Sequence, residues 1–485
     1  MTIALHKHVN PAPVCACGFG DPYNAYAYSA AVFKGSMYIG TGRANLVFLR
    51  FGMPNVHIDM WPVPIEYKNY EQAFEERVSA AEIWRFSPHS STPKRVHQAD
   101  WYQPETGTPF RRHYGYRSMC TYKEGSSDKA LYVASTSRSK GDGPDLMVSY
   151  DGESFQRLPK PSIISDFSSN EVTLTSIRSL LQYDELLVTT ITGASNGNVN
   201  GAGITTIFAT DDPTNGQWFS INGKGLGTFP EVVVVYELCI HQGLLYAGTG
   251  GINGFQLWRG QRVGKYDFKW ELVVKDGGGR GALNQGIISL CSHRDYLYIG
   301  TGIQNGGHDR TNNVGPAAAE VLRLAPNDEL ELVCANPRDG LLPLSGRGPG
   351  FGNYFNAYIW KIVSIDGKLL LGTMDWSIFG LWALRDERKT RFGRLLDWDT
   401  MQVFLSSYGG AEFWCSEDGV DWNCMTHNGF NNMYNFGIRN IIKWNNNTYV
   451  CTANPFGPKV LTRTSDSDPG EYRFNPQGGC QVISI

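Results

Sequence analysis

The sequence predicts an all-β chain, on two observations: a short apolar run recurs seven times, and the residues between the runs are those of tight turns. Composition agrees, with 55 Gly, 24 Tyr, 24 Phe and 13 Trp among 485 residues and only 18% charged. Glycine serves tight turns and aromatics suit pleated, half-buried surfaces, so this is material for many short strands. The 41% apolar content excludes a disordered chain. Lys plus Arg number 43 against 46 Asp plus Glu, a formal charge of -3. That balance argues against a basic nucleic-acid surface or a polyanionic tail.

The repeat sets the elements in order. The run is Met37 to Gly42, then Leu131 to Thr136, Leu186 to Ile191, Leu245 to Gly250, Leu297 to Gly302, Leu369 to Met374 and Thr448 to Ala453. Most copies follow another apolar strand across a short turn, as Ile177 to Leu181 precedes Tyr183-Asp184-Glu185, so each pair reads as a hairpin. A third strand follows in most copies: Glu82 to Arg85, Leu146 to Ser149, Gln256 to Arg259, Glu320 to Arg323 and Glu412 to Cys415. A fourth closes several, as Trp270 to Val274 does. Turns at Ser149 to Phe155 and Ser416 to Trp422 are near relatives of the Asp-box of sialidase-like propellers, in which Asp and Gly make the turn and the aromatic packs back. Seven four-stranded units imply one seven-bladed β-propeller domain over 1–485, cooperative because no blade buries its faces alone. The last copy lacks an outer strand before Ile485, and the N-terminal segment is expected to complete it.

The long insertions, 44–80, 304–318 and 376–410, follow second strands and therefore open on one face. Entry loops at Pro104 to Tyr114 and Asn336 to Asn356 join them; loops of such length in a compact fold are usually functional. The residue ending each second strand on that rim is Arg43, Ser137, Thr192, Gly251, Ile303, Asp375 or Asn454. Innermost-strand positions expected at the same end include Arg117, Arg178, Glu237 and Lys361. Charges in a mouth walled by Phe48, Phe51, Trp61, Trp376 and Phe379 suit a small amphiphilic ligand. The plainer reading is that such charges stay solvated or pair with one another.

No run of 18 apolar residues exists, so no spanning helix is expected. Met1 to Asn10 lacks the apolar core of a signal peptide, which points to the cytoplasm and to reduced thiols for the ten cysteines. There is no His-x-x-x-His or Cys-x-x-Cys, so no metal site is expected, and the glycine-rich stretches lack the strand-to-helix context of phosphate binding.

The opening Gly18-Phe19-Gly20-Asp21-Pro22-Tyr23-Asn24-Ala25-Tyr26-Ala27-Tyr28-Ser29, followed by Tyr38 to Arg43, resembles the bacterial propellers of natural-product pathways typified by the cylindrocyclophane-forming alkylating enzymes. The resemblance covers nearly the whole chain but not the family's calcium-binding β-roll, whose glycine–aspartate repeats are missing here. It implies displacement of chloride from a secondary alkyl chloride by a resorcinol ring carbon, with inversion and without metal or organic cofactor. The related branch forms esters from carboxylates. It places the working arginine at Arg43, the aspartate at Asp375 and the tyrosine at Tyr408, with Thr452 as a further polar contact. A cation and a phenol would stabilise the departing chloride, and Asp375 would take the resorcinol proton. The partners so implied are small molecules, an alkyl chloride with a resorcinol or a carboxylate. From another class stands a non-catalytic propeller that binds a glycan or protein through its loop face. A sialidase-like hydrolase would instead use Arg43, Arg117 and Arg178 as an arginine trio.

Overall fold

The computed structural model describes residues 11–43, 46, 61–65, 80–125, 128–137, 141–163, 172–194, 204–223, 226–227, 232–304, 316–382, 398–465 and 467–485. Among these the strands pair as one antiparallel meander per sequence repeat. The inner strands are Asn24–Phe33, His113–Tyr122, Thr173–Tyr183, Val234–His241, Gly286–His293, Asn356–Ile365 and Gly437–Trp444. Each pairs with a second strand: Ser36–Arg43, Ala130–Ser137, Leu186–Ala194, Leu244–Gly250, Tyr296–Gly302, Lys368–Asp375 and Asn447–Ala453. The turns between them are two-residue hairpins with left-handed backbone, as at Lys34-Gly35, Gln242-Gly243 and Asp366-Gly367.

Successive inner strands adjoin one another, as do the last and the first, and Tyr26 of the first inner strand pairs with Ala453 of the last second strand. The final meander takes its third strand from Val482–Ser484 and its fourth from the N-terminus, Ala12 opposite Ser484 and Pro13 opposite Ile483. The architecture is all-β and propeller-like.

The repeated Gly-Thr-Gly answers to three separate contacts. A Cβ on the first glycine would collide with the next inner strand: Gly248 with Ile287, Gly300 with Ile359, Gly372 with Ile438. The threonine hydroxyl accepts the N–H that opens the third strand, from Glu82 to Thr41 at 2.9 Å, Glu320 to Thr301 at 2.8 Å and Glu412 to Thr373 at 2.9 Å. The second glycine makes room for a ring or branched chain from its own inner strand: Gly42 for Tyr28, Gly250 for Tyr236, Gly302 for Ile288.

The Asp-box-like turns tie neighbouring units. Asp418 accepts from the N–H groups of Val420 and Asp421, and Ser416 from that of Gly419 at 2.8 Å. Gly419, at φ +78°, lies against the hydroxyl of fully buried Tyr298 from the preceding unit. Gly419→Ala therefore combines left-handed strain with overpacking and should cost about 2–4 kcal/mol in chemical denaturation.

Three details depart from the sequence reading. The 376–410 insertion is not a loop throughout: Ser377–Leu381 forms a 3-10 turn and Trp398–Tyr408 a helix, with Met401 and Leu405 buried. A hairpin, Lys459–Thr462 with Glu471–Phe474, is an insertion of the last unit that the sequence did not suggest. Arg117 and Arg178 sit not at the rim but mid-strand, at a β-bulge between Tyr116 and Ser118 and between Ile177 and Ser179, with Glu237 and Lys361 one residue beyond the equivalent bulge. The extra bulge residue shifts the register and places them away from the strand ends. All ten cysteines are free, and no helix among the described residues is long and apolar enough to cross a membrane.

Candidate functional site

The loops entering four of the inner strands share a design. Gly18-Phe19, Gly277-Gly278, Gly350-Phe351 and Gly429-Phe430 each form a left-handed turn. A buried asparagine then donates back to the first glycine's carbonyl: Asn24 at 3.0 Å, Asn284 at 2.8 Å, Asn356 at 3.0 Å, Asn435 at 2.9 Å. Asn24 and Asn284 also donate to the buried carboxylates Glu82 and Glu320, each at 2.8 Å, and Asn435 donates to Gln481. The residue three before the asparagine then varies from unit to unit, and there the candidate site begins.

In the first unit that residue is Asp21. Arg43, 3% exposed at the end of its strand, donates to Asp21 at 2.7 Å and to Asn24 at 3.0 Å and lies over the Tyr23 ring. In the sixth it is Asn353, whose amide donates to both Asp375 and Glu412 at 2.9 Å. Asp375 is fully buried; its other oxygen accepts from the Ser377 backbone N–H at 2.8 Å and from the Ser377 hydroxyl. Burial, reinforced by the nearby Glu412 carboxylate, pushes the Asp375 carboxyl up to about 7. Hydrogen bonds from Ser377 and Asn353 oppose that shift without cancelling it. The corresponding Asn454 of the last unit is purely structural, bound to Asn435, the Gln477 carbonyl and the Phe456 N–H.

An aromatic cluster spans the distance from the first unit to the sixth. Tyr26 meets Phe436 edge-on at 6.1 Å; Phe436 meets Trp376 at 6.1 Å and Phe379 at 6.4 Å. Trp376 packs on Phe379 at 4.8 Å, and Phe379 on Phe456 at 5.5 Å. The indole N–H of Trp376 is buried and has no hydrogen-bond partner among the described residues. Over this cluster lie Met401 and Leu405 of the helix, Trp382, whose indole donates to the Leu461 carbonyl at 3.0 Å, and Trp61. Leu461 and Tyr472 of the extra hairpin hold Pro62 and Trp61 through their carbonyls at 2.8 and 2.9 Å.

The expected residues are thus partly assembled. Asp375 adjoins the aromatic cluster through its N–H to the Phe436 carbonyl at 2.7 Å, Trp376 and Phe379 belong to the cluster, and Arg43 lies over the Tyr23 ring. No hydrogen bond joins Arg43, Asp375 and Tyr408 among the described residues. Tyr408 ends the helix, 48% exposed, stacked on Phe404 at 5.7 Å and near the His427 ring at 4.8 Å. Thr452 is the repeat's structural threonine, accepting from Gln481 N–H at 2.8 Å and donating to Asn435 at 3.0 Å. Phe48 lies outside the described residues. Asn353, Glu412 and the Lys459–Phe474 hairpin were missed; the recurring Gly-Phe-(Gly/Asn)-(Asp/Asn)-x-x-Asn, visible at 18–24, 350–356 and 429–435, was the signal that could have found the first.

No group of His, Cys, Asp and Glu among the described residues could hold a metal. No protein-family model matches this chain, and no curated protein matches it. Solved structures similar to it include the WD40 β-propeller domain of Doa1, 7% identical, covering 98% of this chain and 97% of its own, at a TM-score of 0.44. The α-L-arabinofuranosidase Arb93A of Fusarium graminearum is 10% identical over 76% of this chain and 92% of its own, at 0.39. The α-L-arabinanase of Penicillium chrysogenum is 11% identical over 76% and 94%, at 0.37. Likeness at these scores assigns neither substrate nor reaction.

Proposed function

We propose that the meanders are the blades of one seven-bladed propeller and that its loop face catalyses alkylation of a resorcinol by a secondary alkyl chloride. The observation that supports this most is Asp375, a carboxylate buried beside aromatic rings with its pKa raised to about 7. Such a group is half-ionised near neutrality, where a general base acts most effectively. In the reaction the resorcinol hydroxyl gives its proton to Asp375, and the ring carbon attacks the chlorinated carbon from the face opposite chlorine. The C–C bond forms as the C–Cl electron pair leaves with chloride; the ring proton is then lost to solvent as the oxygen takes its proton back from Asp375, which restores the aromatic resorcinol with HCl as the net by-product. Arg43 and Tyr408 are assigned to the departing chloride, with the unpaired Trp376 N–H as a further donor. The aromatic cluster holds the alkyl chain. Because Asp375 is fully buried, substrate entry requires the cover formed by the helix and the extra hairpin to move.

The test offers purified protein a secondary alkyl chloride with a 5-alkylresorcinol and follows coupled product by mass spectrometry. Arg43→Ala and Tyr408→Phe should each lower coupling about 10²-fold, the usual effect of losing one donor to developing negative charge in a dry site. A wild type that couples neither a resorcinol nor a carboxylate would overturn the reading in favour of a binding propeller. Full activity in Tyr408→Phe would remove Tyr408 alone.

A further inference from the structure

Every inner strand carries a β-bulge at one equivalent place, and the bulged residues are Tyr28, Arg117, Arg178, Tyr236, Ile288, Trp360 and Arg439. They form one layer. Arg117 lies over Tyr28 at 5.4 Å, Arg439 lies over Tyr28 at 5.3 Å and Trp360 at 5.4 Å, and Arg178 lies over Tyr236 at 4.4 Å. The second glycine of the repeat exists where this layer is bulkiest, since Gly42 and Gly115 face Tyr28, and Gly250 and Gly286 face Tyr236. The layer thus combines three guanidiniums with flat aromatic faces and no carboxylate of its own.

These cations are unusually short of partners. Arg178 donates Nε to the Tyr236 carbonyl at 2.9 Å, but the Nε atoms of Arg117 and Arg439 are buried without a hydrogen-bond partner among the described residues. Among the described residues none of the three forms an ion pair. Each keeps some solvent contact while desolvation dominates its neighbours' influence on Arg178 and Arg439, as expected of groups lining a narrow channel. Burial, the Arg117 charge and the Arg439 charge lower Arg178 to about 9, so guanidiniums from different units feel one another. Glu237 is the carboxylate that offsets them, from one residue beyond the bulge; Lys361 holds the same place in the sixth unit, where its charge acts on Cys239 and Cys291. Stacking occupies the guanidinium faces and leaves their N–H edges for a ligand.

We propose that this layer is a binding site for one small oxyanion, held by Arg117, Arg178 and Arg439 in the central channel. The proposal rests on the ring reading of the fold and is independent of the alkylation reading. Guanidinium edges pair with two oxygens at once, so a carboxylate, phosphate or sulfate group is the matching chemistry.

The test titrates the purified protein with phosphate, sulfate, acetate and benzoate in turn, at constant ionic strength against a chloride background. Calorimetry and the unfolding temperature are the readouts. One of these anions should bind saturably at one site per chain and raise the unfolding temperature with it; which one responds distinguishes a carboxylate ligand from a phosphate or sulfate. Arg178→Gln and Arg439→Gln should weaken binding at least tenfold while raising the anion-free unfolding temperature, because like charges are removed. Arg117→Lys, which keeps the charge and loses the fork, should fold and bind more weakly. Arg473→Gln, on an exposed pair of the extra hairpin, should change nothing. Absence of saturable binding by any of the four, or equal binding in wild type and the channel variants, would overturn the proposal. Alkylation without anion binding, or the reverse, would separate this site from the loop-face reaction.

Discussion

Asp375→Asn is expected to abolish resorcinol coupling, by 10² to 10⁴, in a protein that is more stable than its parent at pH 8. The activity loss is the usual contribution of a positioned general base. The stability gain follows from linkage. Asp375 binds its proton more tightly in the folded chain, at about 7 against an ordinary 3.8, so folding is penalised wherever the group must be ionised. The sign is therefore opposite to that of a salt-bridged aspartate. Full stability is present below about pH 4, falls as pH rises towards 7 and stays low above it. A rise of that size costs the ionised protein roughly 4 kcal/mol. Asparagine removes the charge but cannot accept from both Ser377 and Asn353, which returns roughly 1 kcal/mol for each bond lost. The net gain should be about 2 kcal/mol at pH 8, read from denaturant midpoints, with a flatter pH profile between 4 and 7. Some slope should persist, because burial also raises Glu412. Activity carries the matching signature: in the wild type, coupling should climb with pH through about 7 and then level. A carboxylate nucleophile, already ionised, should show neither that climb nor the Asp375 dependence. An Asp375→Asn protein of unchanged activity would confine Asp375 to ordering the Trp376–Leu381 turn.

The strands were legible because each residue of Gly-Thr-Gly answers to its own contact, so the pattern survives where neighbours vary. The ends of the second strands were legible for the same reason, and Arg43 and Asp375 occupy them. What escaped was whatever depends on residues distant in sequence. Asn353 joins Asp375, 22 positions on, to Glu412, 59 positions on; the recurring Gly-Phe motif marks its position, but nothing local names its two carboxylate partners. The bulge is equally silent: an inserted residue leaves the inner strand looking like an ordinary apolar strand, yet Arg117 and Arg178 sit at such bulges in mid-strand and not at the rim. Thr452, which the resemblance offers as a further polar contact, accepts the same structural bond as Thr41, Thr301 and Thr373, a role shared across the repeat. The Trp398–Tyr408 helix was hidden by its brevity, since eleven residues with two buried positions make a weak periodic signal.

Asn284→Leu should be among the most destabilising single changes in the chain, at roughly 3–5 kcal/mol, although leucine nearly matches asparagine in volume. Asn284 is fully buried and uses both ends of its amide: it donates to the Gly277 carbonyl and to Glu320, and accepts from Thr301 at 3.2 Å and Arg280 at 3.3 Å. Glu320 is itself fully buried and accepts from Asn284, from Arg338 at 2.9 Å and from the Asn336 N–H at 2.8 Å. Leucine leaves a carbonyl unpaired and a buried carboxylate short of one donor, the two most expensive ways to fail in a core. The loss is electrostatic rather than steric, so a double-mutant cycle with Glu320→Leu should return a coupling of at least ~1 kcal/mol in urea midpoints. A coupling near zero would reduce the pair to packing. The same clamp recurs in the first unit, where Asn24 binds Gly18, Glu82 and also Arg43. Asn24→Leu should therefore lower both stability and coupling activity, whereas Asn284→Leu, remote from the aromatic cluster, should spare the activity of whatever protein remains folded. That contrast separates what the clamp does for the fold from what it does for the site.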